Sequence, residues 1–180
     1  MNCLFWNARG IVNSPTKTDL KRLIISYKPQ FFFIVEPWMD YNLFPQRRLN
    51  KLNLEFYVVN DRSDFNSNRW CLCDTSINHD IILSNSQQIS FTFKLNDKLM
   101  GISAVYTYTF YFARRSLWCN LQDTLNNQKL LWCFIGDFNL ILDAHEYSGS
   151  NSFPRGPMEE FSNWTDHNHL LHIYILDKTS

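Results

Sequence analysis

The hydrophobic pattern of this chain is densest where it is uninterrupted. Phe31-Phe32-Phe33-Ile34-Val35 and Leu130-Leu131-Trp132-Cys133-Phe134-Ile135 are continuous apolar runs. Each is closed by a turn signal, Glu36-Pro37 in the first case and Gly136 in the second. Runs of this length between turns read as strands buried on both faces. Asn2–Asn7 reads as a shorter strand. Between it and Phe31, residues Leu20, Leu23, Ile24 and Tyr27 recur at amphipathic helical spacing. Ser14-Pro15 supplies an N-cap and a proline at the first helical position, and Pro29 ends the helix. The result is a β-α-β unit with its two strands parallel and close together.

Further along, the pattern predicts a short helix around Pro45–Lys51 and a strand at Glu55–Val59. A polar loop follows at Asp61–Asn68, then strands at Arg69–Asp74 and Asp80–Ser84. Ile89, Phe91, Phe93 and Leu95 alternate with Ser90, Thr92 and Lys94, the signature of a half-buried strand. Asn96-Asp97 turns it back into a hairpin partner at Leu99–Tyr106. A helix is predicted over Arg114–Asn126, with Leu117, Trp118, Leu121 and Leu125 inward. Asp143–Arg155 reads as a long loop. Pro157 opens a helix with Phe161 and Trp164 on its apolar face, and Leu170–Leu176 reads as a last strand. Strand-rich stretches between helices predict an α/β (α+β) fold: two packed mixed β-sheets flanked by helices, a four-layer α/β/β/α sandwich.

The 180 residues suffice for one domain, 1–180, with a sizeable core. A hydrophobic share of 45% and an aromatic share of 16% exclude a disordered chain. No apolar run approaches a membrane span. Met1–Asn7 has neither a basic lead nor a long apolar segment, so an intracellular protein without a signal peptide, nuclear or cytoplasmic, is expected. Five cysteines is an odd count, and Cys71 with Cys73 has no second pair to complete a zinc site. They read as reduced core residues. A formal net charge of zero argues against strong nonspecific binding to a polyanion. Arg47-Arg48 and Arg114-Arg115 are adjacent pairs that suit either a solvated helix face or a phosphate contact.

Three apolar strands share one feature: each ends in polar groups just before a turn. These are Asn7, Glu36, and Asp137 with Asn139. Asp137 and Asn139 stand two apart, so on an extended chain they project together. An Asp/Asn turn after a strand is the structural alternative. Ligand sites of open α/β sheets gather at the carboxyl ends of strands. Two carboxylates and two amides converging there suit a hard divalent cation such as Mg²⁺, which can polarise a phosphoryl oxygen.

In order along the chain stand Trp6-Asn7-Ala8-Arg9-Gly10, Val35-Glu36-Pro37-Trp38, Ala104-Val105-Tyr106, Arg114-Arg115 with Leu117-Trp118, and Ile135-Gly136-Asp137-Phe138-Asn139. His145-Glu146-Tyr147-Ser148-Gly149 and Phe161-Ser162-Asn163-Trp164-Thr165-Asp166 follow. This ordered set resembles the endonuclease/exonuclease/phosphatase superfamily. More narrowly, it resembles the N-terminal endonuclease domain of plant non-LTR (LINE-type) retrotransposon polyproteins. The resemblance implies that Glu36 is the main Mg²⁺ ligand, helped by Asn7, with Mn²⁺ as a substitute. It implies that Asp137 orients or deprotonates the attacking water and that Asn139 hydrogen-bonds the phosphate. Tyr106 would stabilise charge beside the scissile group, and Arg114 and Arg115 would contact substrate phosphate. The partner would be DNA, nicked for insertion of the element. In-line attack on phosphorus needs positioning, a metal and an aligned water.

The family completes its site with further Asp residues and a Ser-Asp-His motif, for which this chain has no counterpart. Thr165-Asp166-His167 imitates the motif but falls in a helix, and His169 and His172 read as surface or strand-end residues. The expectation is a domain incomplete at its C-terminal side, without its final strands and His motif. Three functions follow from the resemblance: a nuclease, a retroelement remnant without turnover, or a phosphodiesterase for a small phosphate ester.

Overall fold

A computed structural model describes residues 1–60, 69–140, 155–171 and 173. Its elements are β1 (Cys3–Asn7), α1 (Ser14–Tyr27), β2 (Phe31–Val35), a 3₁₀ turn (Tyr41–Leu43), α2 (Gln46–Asn50), β3 (Leu54–Asn60) and β4 (Arg69–Asp74). Then come β5 (His79–Ser84), β6 (Gln88–Leu95), β7 (Lys98–Tyr106), α3 (Tyr111–Asn127), β8 (Leu131–Asp137) and α4 (Arg155–His167). The loops expected at 61–68 and 143–154, and the 145–149 segment, lie outside the described residues. Of the strand expected at 170–176, Leu170, Leu171 and Ile173 are in no strand, and the rest lies outside.

The strands form two mixed four-stranded sheets, ordered β1-β2-β4-β3 and β5-β6-β7-β8. Each contains one parallel pair, β1 with β2 and β7 with β8, joined through α1 and α3 respectively. The expected four layers are present, and the uninterrupted apolar runs make them possible. Along β2, Phe31 and Phe33 face the other sheet, where they meet Phe91, Phe93, Ile102 and Ala104. The alternate residues Phe32 and Ile34 face the helix layer of Leu20, Ile24 and Leu49. A third core joins Val105 and Phe134 to Leu117, Trp118 and Leu121 of α3 and to Phe161 and Trp164 of α4. A strand covered on both faces has no polar face to alternate with.

Three expectations are corrected. The cap of α1 is Asn13, whose Oδ1 accepts the Thr16 backbone N–H at 2.9 Å, and Ser14 is already helical. Helix α3 begins at Tyr111, one turn before Arg114. Strand β6 is buried on both faces rather than half-buried, since Ser90 and Thr92 are covered. Ser90 Oγ lies 2.7 Å from Ser103 Oγ, Gln88 Nε2 donates to Ser90, and Trp132 Nε1 donates to Ser103 at 2.8 Å. Alternating polarity here marks a hydrogen-bonded seam inside the protein, as burial of such groups requires.

The edge strands differ in kind. Strands β3 and β5 each carry a register shift, at Phe56/Val58 and Ile81/Leu83, and exposed acidic residues, Glu55 and Asp80. Those are devices that stop a sheet from pairing further. Strands β1 and β8 have unbroken register and no charged residue before Asp137.

Candidate phosphoester site

Four elements end at one place. Asn7 closes β1, Glu36 follows β2, Tyr106 closes β7 and Asp137 closes β8. Asn7 pairs with Val35 in the first sheet, and Tyr106 pairs with Asp137 in the second. Glu36 has a φ of 51°, outside the extended region. The turn brings its carboxylate back to the neighbouring strand end, where Asn7 Nδ2 donates to Glu36 Oε1 at 3.1 Å. The Tyr106 hydroxyl donates to the same oxygen from the other sheet. Asn7, Glu36, Tyr106, Asp137 and Asn139 are all half-buried, reachable from solvent but held.

Close backbone approach sets these positions. Gly10 has a φ of 101°, and a Cβ there would lie 2.9 Å from the Trp38 ring. Its N–H donates to the Glu36 carbonyl at 2.8 Å, fixing the turn that carries the carboxylate. Gly136 has a φ of 154°, and a Cβ would lie 1.9 Å from the Val105 carbonyl oxygen. Only glycine fits beside Asp137.

Asp137 and Asn139 do not project together on an extended chain. Asn139 has a φ of 49°, and its N–H donates to Asp137 Oδ1 at 2.9 Å. This is an Asx turn. The Asn139 Nδ2 donates to the Thr107 carbonyl at 2.8 Å. The turn and a polar cluster, set as alternatives by the sequence, coexist.

Arg114, expected as a phosphate contact, is buried at 5% exposure. Its guanidinium donates to the carbonyls of Tyr108, Thr109 and Asn139, so it clamps the two loops that leave β7 and β8. Burial lowers its pKa from the ordinary arginine value. Arg115 is exposed and lies over the rings of Tyr111 and Phe112. His167 and Asp166 are exposed on α4. Asn168 donates to Gln122 in the later half of α3, which puts the adjoining His169 turn at the opposite end of the sheet from Asp137.

Two positioning residues escaped the sequence reading. Thr107 is buried and donates its hydroxyl to the Phe138 carbonyl at 2.7 Å. Arg69 is buried and reaches from β4 to the Asn85 carbonyl, beside β6 of the other sheet. A basic residue opening the fully apolar run Trp70–Cys73 was the available signal.

Asn7 and Asp137 also line a groove of about 870 Å³ that runs along the β1 and β8 edges to Leu171 and Ile173. No helix among the described residues is long and apolar enough to cross a membrane.

No family model matches the sequence, and no curated protein matches it. Solved structures do match in shape. A 3' phosphatase from Neisseria bound to product DNA hairpin is 13% identical, with a TM-score of 0.66, over 92% of this chain and 70% of that one. The endonuclease domain of TRAS1, a telomere-specific non-LTR retrotransposon, is 11% identical with a TM-score of 0.66, over 92% and 71%. An AP endonuclease from Archaeoglobus fulgidus is 10% identical with a TM-score of 0.67, over 93% and 70%. These neighbours are enzymes of the endonuclease/exonuclease/phosphatase fold, and this chain has that α/β sandwich.

Proposed function

We propose that the cluster at the strand ends is the central part of a Mg²⁺-dependent phosphodiester-hydrolysing site, of the kind that nicks DNA for insertion of a non-LTR retroelement. One observation carries the reading. A single carboxylate oxygen, on Glu36, receives donors from Asn7 and from Tyr106, which belong to different sheets. Asp137 stands beside Tyr106 in register. The plant retroelement assignment rests on the resemblance of the motifs.

The donor set fits a hard cation. Mg²⁺ is commonly held by one or two carboxylates and keeps several waters, so Glu36 with the amide oxygen of Asn7 would suffice. Among the described residues there is no group of three or more His, Cys, Asp or Glu arranged to hold a metal. When bound, Mg²⁺ or Mn²⁺ supplies Lewis-acid stabilisation of phosphoryl charge. The chain's own residues do the positioning. Asp137 has one oxygen in the Asx turn and the other to accept from the attacking water. The Tyr106 hydroxyl, now on Glu36, is the donor for a phosphate oxygen, and the second Asn139 amide hydrogen is another. Of the expected arginine pair, Arg115 remains available to phosphate, since Arg114 is committed to backbone carbonyls.

The further Asp residues and the Ser-Asp-His motif of the resembled family have no counterpart in these 180 residues, and DNA turnover by them alone is impaired. The neighbours' greater length supports this, since the chain covers 70% and 71% of two of them. Two measurements test the reading. Mn²⁺ binding followed by electron paramagnetic resonance is expected to saturate, and to be lost in Glu36→Gln. Wild-type protein without saturable binding would remove the proposal. Supercoiled plasmid with Mg²⁺ or EDTA should show no metal-dependent nicking above an Asp137→Ala control. Nicking abolished by that substitution would mean a working endonuclease instead. Cleavage of a small phosphodiester but not of DNA by a completed domain would move the substrate class.

A further inference from the structure

Large aromatic side chains stand exposed shortly after Glu36 and shortly after Tyr106, on the loop after β2 and at the start of α3. Trp38, two residues after Glu36, is 54% exposed. Its ring lies close to Gly10. On the other side, Phe110 and Phe112 follow Tyr106 closely and are 65% and 63% exposed. Their ring centroids are 5.7 Å apart, and the Arg115 guanidinium lies 5.4 Å from the Phe112 centroid. Phe110 occupies the N-cap of α3 and makes no side-chain cap bond. A polar cap there would stabilise the helix, so local stability does not account for this residue. The loop is also fixed in place, because Arg114 holds the carbonyls of Tyr108 and Thr109. Glu160 lies behind, on the Tyr111 hydroxyl.

We propose that Trp38, Phe110 and Phe112 are a stacking platform for unpaired nucleobases on either side of the phosphate site. This rests on the phosphodiester reading above and names its substrate class: a strand whose bases are unstacked, in preference to intact duplex. Flat aromatic faces beside a guanidinium suit bases, each of which offers a π-face. The charge balance agrees. The formal net charge is zero, so backbone attraction is weak and stacking must supply the affinity.

The test is equilibrium binding in EDTA, where no hydrolysis occurs, with the whole chain. The probes are a short single strand carrying 2-aminopurine, its duplex, and an abasic strand of equal phosphate count. The single strand is expected to bind about tenfold more tightly than the other two, with quenching of 2-aminopurine. Phe110→Leu with Phe112→Leu should lose about tenfold and the quench, and Phe112→Trp should keep both. Trp38→Leu should weaken binding independently. Equal binding of all three probes, no binding of any, or leucine variants that bind as wild type would each overturn the platform. Failure of the phosphodiester reading shows elsewhere, as loss of saturable Mn²⁺ binding, and does not alter the quench.

Discussion

Tyr106 and Asp137 are partners in the last rung of the parallel β7–β8 ladder, with Tyr106 bonded across to Glu36 of the other sheet. The phenol therefore ties the two sheets together at the strand ends. Tyr106→Phe removes a hydrogen bond to a charged group, worth about 1.5–3 kcal/mol when buried and less at this half-buried site. Urea unfolding should show a loss of about 1 kcal/mol. Mn²⁺ binding should survive, because Glu36 and Asn7 remain, whereas Asn7→Ala should weaken it.

Gly136→Ala should be among the most damaging single changes. The added carbon meets the Val105 carbonyl oxygen at 1.9 Å, so backbone must move between β7 and β8. A cost of about 3 kcal/mol or more is expected, at the high end for point mutants. Urea denaturation of the soluble protein, or its failure to fold, checks this. Gly156→Ala is the control, since nothing lies within 4 Å of its added carbon.

Arg114 and Arg115 are adjacent in sequence and opposite in consequence. Arg114→Ala removes one buried donor shared by three carbonyls and should destabilise by about 2–3 kcal/mol. All three bonds leave one nitrogen, Nη1, so Arg114→Lys, whose ammonium also carries three donors, should recover part of the loss. Arg115→Ala should leave stability unchanged, because the side chain is exposed. Hydrogen exchange at residues 107–110 and 138–140 should quicken in the Arg114 variants only.

The four thiols packed around the sheets are protected, while Cys119 is exposed. Burial pushes Cys3 and Cys73 up to about 12, and Cys71 and Cys133 also upward. The folded state holds these protons more tightly than the unfolded chain. Their contribution is therefore full below the unfolded value near 9 and is lost as pH rises towards 12. Unfolding free energy should fall over that interval, and less steeply in Cys3→Ser. A thiol reagent near pH 8 should label Cys119 promptly and the others only as the protein unfolds.

The layers and the site were legible to different depths, for a physical reason. Phe31–Val35 announced a doubly covered strand because burial on both faces removes polar residues from the sequence. The strand-end cluster was legible because Asn7, Glu36 and Asp137 each break an apolar run. What the chain pattern could not convey was which polar side chains are turned inward. Ser90, Ser103, Thr107 and Arg114 look like surface residues one at a time and are buried only because each meets a partner distant in sequence. Left-handed turns at Glu36 and Asn139 were equally hidden, since neither is glycine. There the strand's alternation stops predicting direction.

The edges give the last expectation. Strands β3 and β5 carry a bulge and an acidic residue each, as true edges do. Strand β1 carries neither, β8 has unbroken register and only the terminal Asp137, and Leu131 at the start of β8 is 72% exposed. Among the described residues no further strand pairs with these two edges, and such an edge beside a groove templates further pairing. The chain on its own should therefore self-associate with rising concentration in sedimentation velocity. Leu131→Lys, which places a charge on the open edge, should shift the distribution towards monomer without lowering stability. Ile82→Lys on the β5 edge should leave association unchanged, because that edge is already closed to pairing. Monomeric wild-type protein, or equal effects of the two lysines, would show that β1 and β8 are closed to pairing as β3 and β5 are.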